Sequence, residues 1–133
     1  MLIQHDAVSH VTSSLGFDDD VTMILEYDTQ DPYVIFLRFD YIGPTWHLDR
    51  SIIADALTSD RLQGLSDVKA RREGGMIEIY LDSPEGTAVV KIDALVVSAF
   101  LQEIYTFVPE DEAGKIAEAA IEEFLSGMIN TED

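Results

Sequence analysis

Tyr27-Asp28-Thr29-Gln30-Asp31-Pro32-Tyr33 lies between two runs of alternating apolar residues, and Asp82-Ser83-Pro84-Glu85-Gly86 occupies a similar place further along the chain. Asp-Pro and Ser-Pro-Glu-Gly supply a preset φ and a permissive glycine where the backbone must reverse, so both stretches read as turns between strands. The Asp28 and Asp31 side chains are placed to accept bonds from nearby backbone amides and fix the first turn. Working outward, alternation and β-branched content predict strands near 2–12, 21–27, 33–41 and 44–48, the third being clearest through Tyr33, Ile35, Leu37 and Phe39. Asp49 stands where an N-cap belongs. Ile52, Ile53, Ala56 and Leu57 follow at helical spacing, which predicts a helix over 50–58. After Gly64 the strand pattern returns at 66–72, 76–82 and 87–92, with Gly74-Gly75 and Pro84-Glu85-Gly86 as the turns between.

Asp93 is a second N-cap, opening a helix that runs to about Val108 and is stopped by Pro109. Its apolar residues cover two faces. Leu95, Val96, Ala99, Phe100, Ile104 and Phe107 form a stripe expected to face a sheet; Val97, Leu101 and Tyr105 form a second, the candidate oligomer or partner surface. The competing cover for that second stripe is a last helix over about 112–129, where Ile116, Ala120, Ile121, Phe124, Leu125 and Met128 oppose Glu118, Glu122 and Glu123. The expected order is ββββ-α-βββ-α-α: an α+β fold, an antiparallel sheet packed with helices, forming one domain over 1–133.

A chain of 133 residues is long enough to bury a real core. Absence of cysteine excludes disulfides, thiolate metal sites and cysteine nucleophiles, and fits an intracellular protein. Met1–Asp6 lacks the positive and apolar regions of a signal peptide, and no apolar run approaches the ~20 residues of a membrane span, so cytoplasmic residence without membrane insertion is expected. The net charge of −18, from 26 acidic and 8 basic residues, repels phosphate backbones and anionic lipid.

No catalytic set is gathered in the sequence. His5, His10 and His47 are the only imidazoles, and none sits in a motif with an orienting carboxylate and a nucleophile. Asp18-Asp19-Asp20 and the Asp28/Asp31 pair lack calcium-loop spacing, and no phosphate-cradling glycine motif appears, so neither a metal nor a cofactor is expected. Lys69, Arg71 and Arg72 are the one cluster of cations, a candidate anion contact, though three cations fall short of the six to ten phosphate contacts of strong nucleic-acid binders. Trp46, the lone tryptophan, reads as a core or interface anchor.

Several segments carry one further signal in combination. They are Tyr27-Asp28-Thr29-Gln30-Asp31-Pro32-Tyr33; Trp46 with Arg50, Ile52, Ile53 and Ala54; Gly64 with Asp67 and Val68; Ser83-Pro84-Glu85-Gly86; and Phe100-Leu101, Tyr105 and Val108-Pro109. In this order and spacing, across roughly residues 24–110, they resemble the SsgA-like sporulation and cell-division proteins of actinobacteria. The resemblance implies a fold similar to the Whirly single-stranded nucleic-acid-binding proteins, trimeric assembly, and mainly structural motif residues. It further implies a non-catalytic adaptor that helps select septum sites, acts with other SsgA-like proteins and the tubulin-like division protein FtsZ, and is enriched at division septa. The alternative, drawn from fold analogy alone, is a single-stranded nucleic-acid-binding module. Residues 1–20 match only loosely. Arg71-Arg72 stands where the family commonly has Trp-Pro, so that aromatic's role does not carry over.

Overall fold

A computed structural model describes residues 1–39, 45–65, 67–109 and 122–123. Eight strands form one antiparallel sheet. The first four, β1 (Leu2–Ser13), β2 (Asp18–Asp28), β3 (Val34–Phe39) and β4 (Trp46–Asp49), make a meander that leads into α1 (Arg50–Ala56). A second meander, β5 (Gln63–Leu65), β6 (Val68–Glu73), β7 (Met76–Ser83) and β8 (Gly86–Asp93), leads into α2 (Ala94–Phe107). The two are joined where β1 pairs antiparallel with β8, giving the strand order β4-β3-β2-β1-β8-β7-β6-β5.

Alternation decides which face is dry. Ile3, Met23, Leu25, Tyr27, Ile35 and Leu37 of the first meander, and Ile77, Ile79, Val90 and Ile92 of the second, turn inward to one core. Over that face α2 packs against β1, β8 and β7. α1 packs against β4 at one sheet edge and against β5 and β6 at the other, so the sheet curls until one short helix serves both edges. The outer face carries the polar partners of the alternation, among them Gln4, Asp6, His10, Glu26, Arg38, Lys69, Arg71 and Lys91.

The α+β class, the antiparallel sheet and both Asp-capped helices agree with the sequence reading. Three details differ. A short strand, Gln63–Leu65, precedes the stretch read as beginning at 66; three residues cannot display an alternation, and it forms because Gly64, at φ 120°, lets the backbone close on Val68. A Cβ at Gly64 would stand 2.5 Å from the Val68 carbonyl oxygen. α1 ends at Ala56, two residues short of the expected limit.

The third difference is the orientation of α2. Val97 and Leu101, assigned to an outward partner surface, are 1% and 2% exposed and belong to the core, whereas Leu95 and Phe107, assigned to the sheet side, are exposed. Tyr105 is half-buried against the same core. This corrects the candidate surface Val97, Leu101 and Tyr105: the Asp93 cap fixes where the helix starts, and the rotation it sets turns Ala94, Val97, Phe100, Leu101 and Ile104 inward. The expected last helix lies outside the described residues, apart from Glu122 and Glu123, which are helical and exposed.

Candidate functional site

The motif residues that are far apart in sequence converge on one guanidinium. Arg50 is the first residue of α1 and only 4% exposed. Asp49 caps the helix, its Oδ1 accepting from the Ser51 amide at 2.8 Å and from the Ser51 hydroxyl at 2.7 Å. That cap fixes the backbone direction from which Arg50 projects inward. Its Nη1 donates to the Tyr27 hydroxyl at 3.1 Å and to the Val108 carbonyl at 2.9 Å. The Tyr105 ring lies 5.1 Å beneath the guanidinium carbon, in cation–π geometry. Nη2 is buried with no acceptor among the described residues, so both of these hydrogen bonds come from one arm of the fork.

Tyr27 passes the connection on to the first turn. Fully buried, it donates its hydroxyl to the Pro32 carbonyl at 2.9 Å. Burial raises its pKa above the ordinary phenol value, with the Arg50 hydrogen bond pulling the other way. Asp28 Oδ1 accepts from the Gln30 amide at 2.9 Å, the expected Asx turn; Asp31 contributes through its backbone, donating to the Asp28 carbonyl and accepting from Val34. Pro32 is buried and Tyr33 exposed, while the Tyr33 carbonyl accepts from the Arg50 amide at 2.8 Å. Tyr27, Pro32, Arg50, Tyr105 and the Val108-Pro109 exit thus form a clasp between the β2–β3 turn, the start of α1 and the end of α2. A buried cation bonded to neutral oxygens over an aromatic ring is a fastening.

The remaining motif residues lie elsewhere. Trp46 is half-buried on β4 and packs on the core. Phe100 is fully buried under α2, with His5 edge-on at 5.2 Å and His5 itself paired with Glu103. Ser83 donates to the Gly86 carbonyl at 3.1 Å across the β7–β8 turn, with Pro84 exposed between them. Gly86 has φ 152°, and a Cβ there would meet the Ser14 hydroxyl at 2.7 Å, so this turn depends on a glycine.

The three clustered cations do not act together. Arg71 donates through Nε to Glu78 at 2.9 Å and lies 5.7 Å from the Tyr80 ring; the Glu78 hydrogen bond raises the Arg71 pKa further. Arg72 turns away and donates to the Gly74 and Leu57 carbonyls at 2.8 and 3.1 Å, tying β6 to the end of α1. Lys69 projects alone from the outer face of β6, exposed and with no carboxylate in bonding distance among the described residues. Glu78 was not foreseen: it is only 6% exposed on the otherwise wet face of the sheet, because Arg71, Lys91 Nζ at 3.6 Å and the Tyr80 hydroxyl at 3.3 Å close over it. The only sequence signal was its place in the alternation Met76-Ile77-Glu78-Ile79-Tyr80-Leu81.

Across the sheet this cluster continues as one in-register row, Asp20, His10, Lys91, Glu78 and Arg71, on five neighbouring strands. His10 contacts Asp20 at 2.8 Å through Nδ1 and Asp18 at 2.7 Å through Nε2, and these hydrogen bonds raise its pKa above the ordinary imidazole value. His47 stacks edge-on against Phe36 at 4.7 Å. Among the described residues, no three His, Asp or Glu side chains gather as metal ligands, and no helix is long and apolar enough to cross a membrane.

Comparison with known proteins places this geometry. The family model described as "Streptomyces sporulation and cell division protein, SsgA" matches residues 21–113, a span that contains the whole clasp. Sporulation-specific cell division protein SsgB of Streptomyces coelicolor is 34% identical over 93 residues, which are 64% of this chain and 66% of that protein. A solved structure from work on SsgB mutations that correlate with longitudinal cell division during sporulation of Streptomyces coelicolor superposes with a TM-score of 0.76 at 26% identity, covering 87% of this chain and 95% of that one. The SsgA-like sporulation-specific cell division protein of Thermobifida fusca shares the fold, with a TM-score of 0.78 at 24% identity over 93% and 96% of the two chains.

Proposed function

Since the chain belongs to the SsgA family of sporulation and cell division proteins, we propose that it is a non-catalytic, oligomeric adaptor in sporulation-associated cell division. Its work is recruitment: marking septum sites in the cytoplasm, with FtsZ and other SsgA-like chains as partners and a trimer as the assembled form. The observation that carries this reading is where the family-matched residues are spent. Tyr27, Arg50, Tyr105 and Val108 fasten the fold from within. A protein whose matched side chains secure its shape is suited to present surfaces to other proteins. The nucleic-acid reading loses support from the same geometry, since Arg71 and Arg72 are engaged within the chain and a duplex or single strand would meet Lys69 beside a field of −18.

The test is affinity purification of the tagged protein from crosslinked, nuclease-treated cells, with co-purifying proteins identified by mass spectrometry. Enrichment of division proteins supports the adaptor. Recovery only of nucleic-acid-handling proteins that are lost on nuclease treatment overturns it.

A further inference from the structure

The β1–β2 hairpin ends in an apolar knob that is held rigidly in water. Leu15 at its apex is 78% exposed, and Phe17 is partly exposed beside it. The turn is nonetheless fully built. The Ser13 hydroxyl accepts from the Leu15 and Phe17 amides at 3.2 Å each, the Ser13 amide donates to the Phe17 carbonyl at 2.9 Å, and Gly16 takes φ 94°. Ser14 is pinned to β8 by two bonds with Thr87, at 2.8 and 2.9 Å. Directly after the knob come Asp18, Asp19 and Asp20, all exposed.

At the same end of the sheet lies a groove with the opposite character. A cavity of about 370 Å³ is walled by Leu62, Tyr80, Ala88 and Val89, with Lys69 on its wall. Tyr80 pairs with both Lys69 and Val89 across the strands, so the apolar wall and the cation share one row. Arg71 and Lys91 stand one row further in, and Asp67 and Asp82 close the rim nearest the β7–β8 turn.

We propose that a second copy of this chain docks here. Leu15 of one copy enters the Leu62–Tyr80–Val89 groove of another, and the Asp18–Asp20 carboxylates approach Lys69. The knob presents apolar residues followed by acids; the groove presents an apolar wall with Lys69 beside it, while Arg71 and Lys91 behind it are already held by Glu78. In a chain with only 8 basic residues, an unpaired lysine beside an apolar groove is a scarce complement to that sequence of groups. A preordered turn also loses little conformational entropy on docking. The knob lies just before residues 21–113, the span that the family model matches. It rests on the oligomeric part of the adaptor reading and names one of its contacts.

The chain has no cysteine, which makes disulfide trapping clean. Leu15→Cys and Leu62→Cys proteins, mixed and oxidised, should give a covalent heterodimer well above the yield from Leu15→Cys mixed with Ala99→Cys on the exposed side of α2. In parallel, light scattering of the whole chain should show self-association weakened about tenfold or more by Leu15→Asp and by Lys69→Glu, with unchanged circular dichroism. An oligomer whose mass ignores both substitutions, or a trap no better than the control, overturns the contact and leaves the adaptor reading standing. A parent protein that stays monomeric at the highest concentration reached overturns the contact and the oligomeric part of that reading together.

Discussion

Asp49 and Asp93 perform the same task in two halves of the molecule. Each ends the fourth strand of a meander, and each carboxylate accepts from the amide two residues on at 2.8 Å. The amide of the following residue then reaches back to the carbonyl just before the third strand, Arg50 to Tyr33 at 2.8 Å and Ala94 to Gly75 at 2.9 Å. The described residues up to α2 are therefore ββββα built twice. The halves part at the side chain after the cap: a buried guanidinium in the first, a buried methyl in the second. Because Ala94 starts the longer helix without help, the cap and the back-reaching amide suffice to make the turn. Arg50 has a different task, which is to hold the end of α2, an element of the other half, to the β2–β3 turn.

The largest expected effect tests that assignment. Arg50→Ala removes two hydrogen bonds, one of them to the Val108 carbonyl, a cation–π contact and most of a buried side chain. A loss of about 3 kcal/mol in urea unfolding is expected. Ala94→Gly, at the equivalent place, should cost about 1 kcal/mol or less. Hydrogen exchange separates the mechanisms: Arg50→Ala should speed exchange at Phe107 and Val108, far from the substitution in sequence, and Ala94→Gly should not. Equal losses with equal exchange patterns would reduce Arg50 to a local helix residue.

The capping aspartates come next, with Asp49→Ala and Asp93→Ala each expected to cost about 1 kcal/mol. The comparison is sharpened by their equality. α1 has seven residues and α2 fourteen, so if the cap acts only on the first turn the two costs should agree to within about 0.5 kcal/mol. A much larger cost at Asp49 would mean that this cap also positions Arg50, and Arg50→Ala in the same background would then remove the excess.

Both caps were legible in the sequence, since an Asp before helical spacing is a local signal, and so were the strands long enough to alternate. The duplication was not. It resides in which carbonyl an amide reaches, and the equivalent segments, Pro32-Tyr33 against Gly74-Gly75 and Arg50 against Ala94, share no side-chain chemistry. Phe100 and Ile104 of α2 were rightly turned inward, but Val97 and Leu101 were placed outward and Leu95 and Phe107 inward, because Leu95, Val96, Val97, Ala99, Phe100 and Leu101 put apolar groups almost all round the helix and periodicity cannot fix the centre of the inward side from such a run. The clasp residues were found by resemblance, whereas the clasp itself joins positions 27, 50, 105 and 108, a relation that only the packed sheet creates. Glu78 was invisible for the opposite reason: alternation correctly gave its face, and its burial comes from neighbours on two other strands.

The smallest expected effect lies on the outer row, where the halves also differ. On β6–β8, Arg71, Glu78 and Lys91 form a charge cluster around one carboxylate. On β1–β2 the equivalent stretch is Asp18, Asp20 and His10, and its one cation titrates near neutral pH. Asp20 first, then Asp18, holds the His10 proton and raises its pKa from 6.5. A raised folded-state value means that the folded protein binds the proton more tightly than the unfolded chain does. The stabilisation is therefore complete below the unfolded value and is lost as pH rises through the folded one. As pH rises above 6.5 the urea midpoint should fall slightly, the pair being exposed and screened, and the fall should shrink in high salt. His10→Gln should flatten that slope without lowering the plateau on its alkaline side by much, because the imidazole contributes there only as a neutral group. A slope that survives the substitution would show that the pH dependence does not come from the His10 pair.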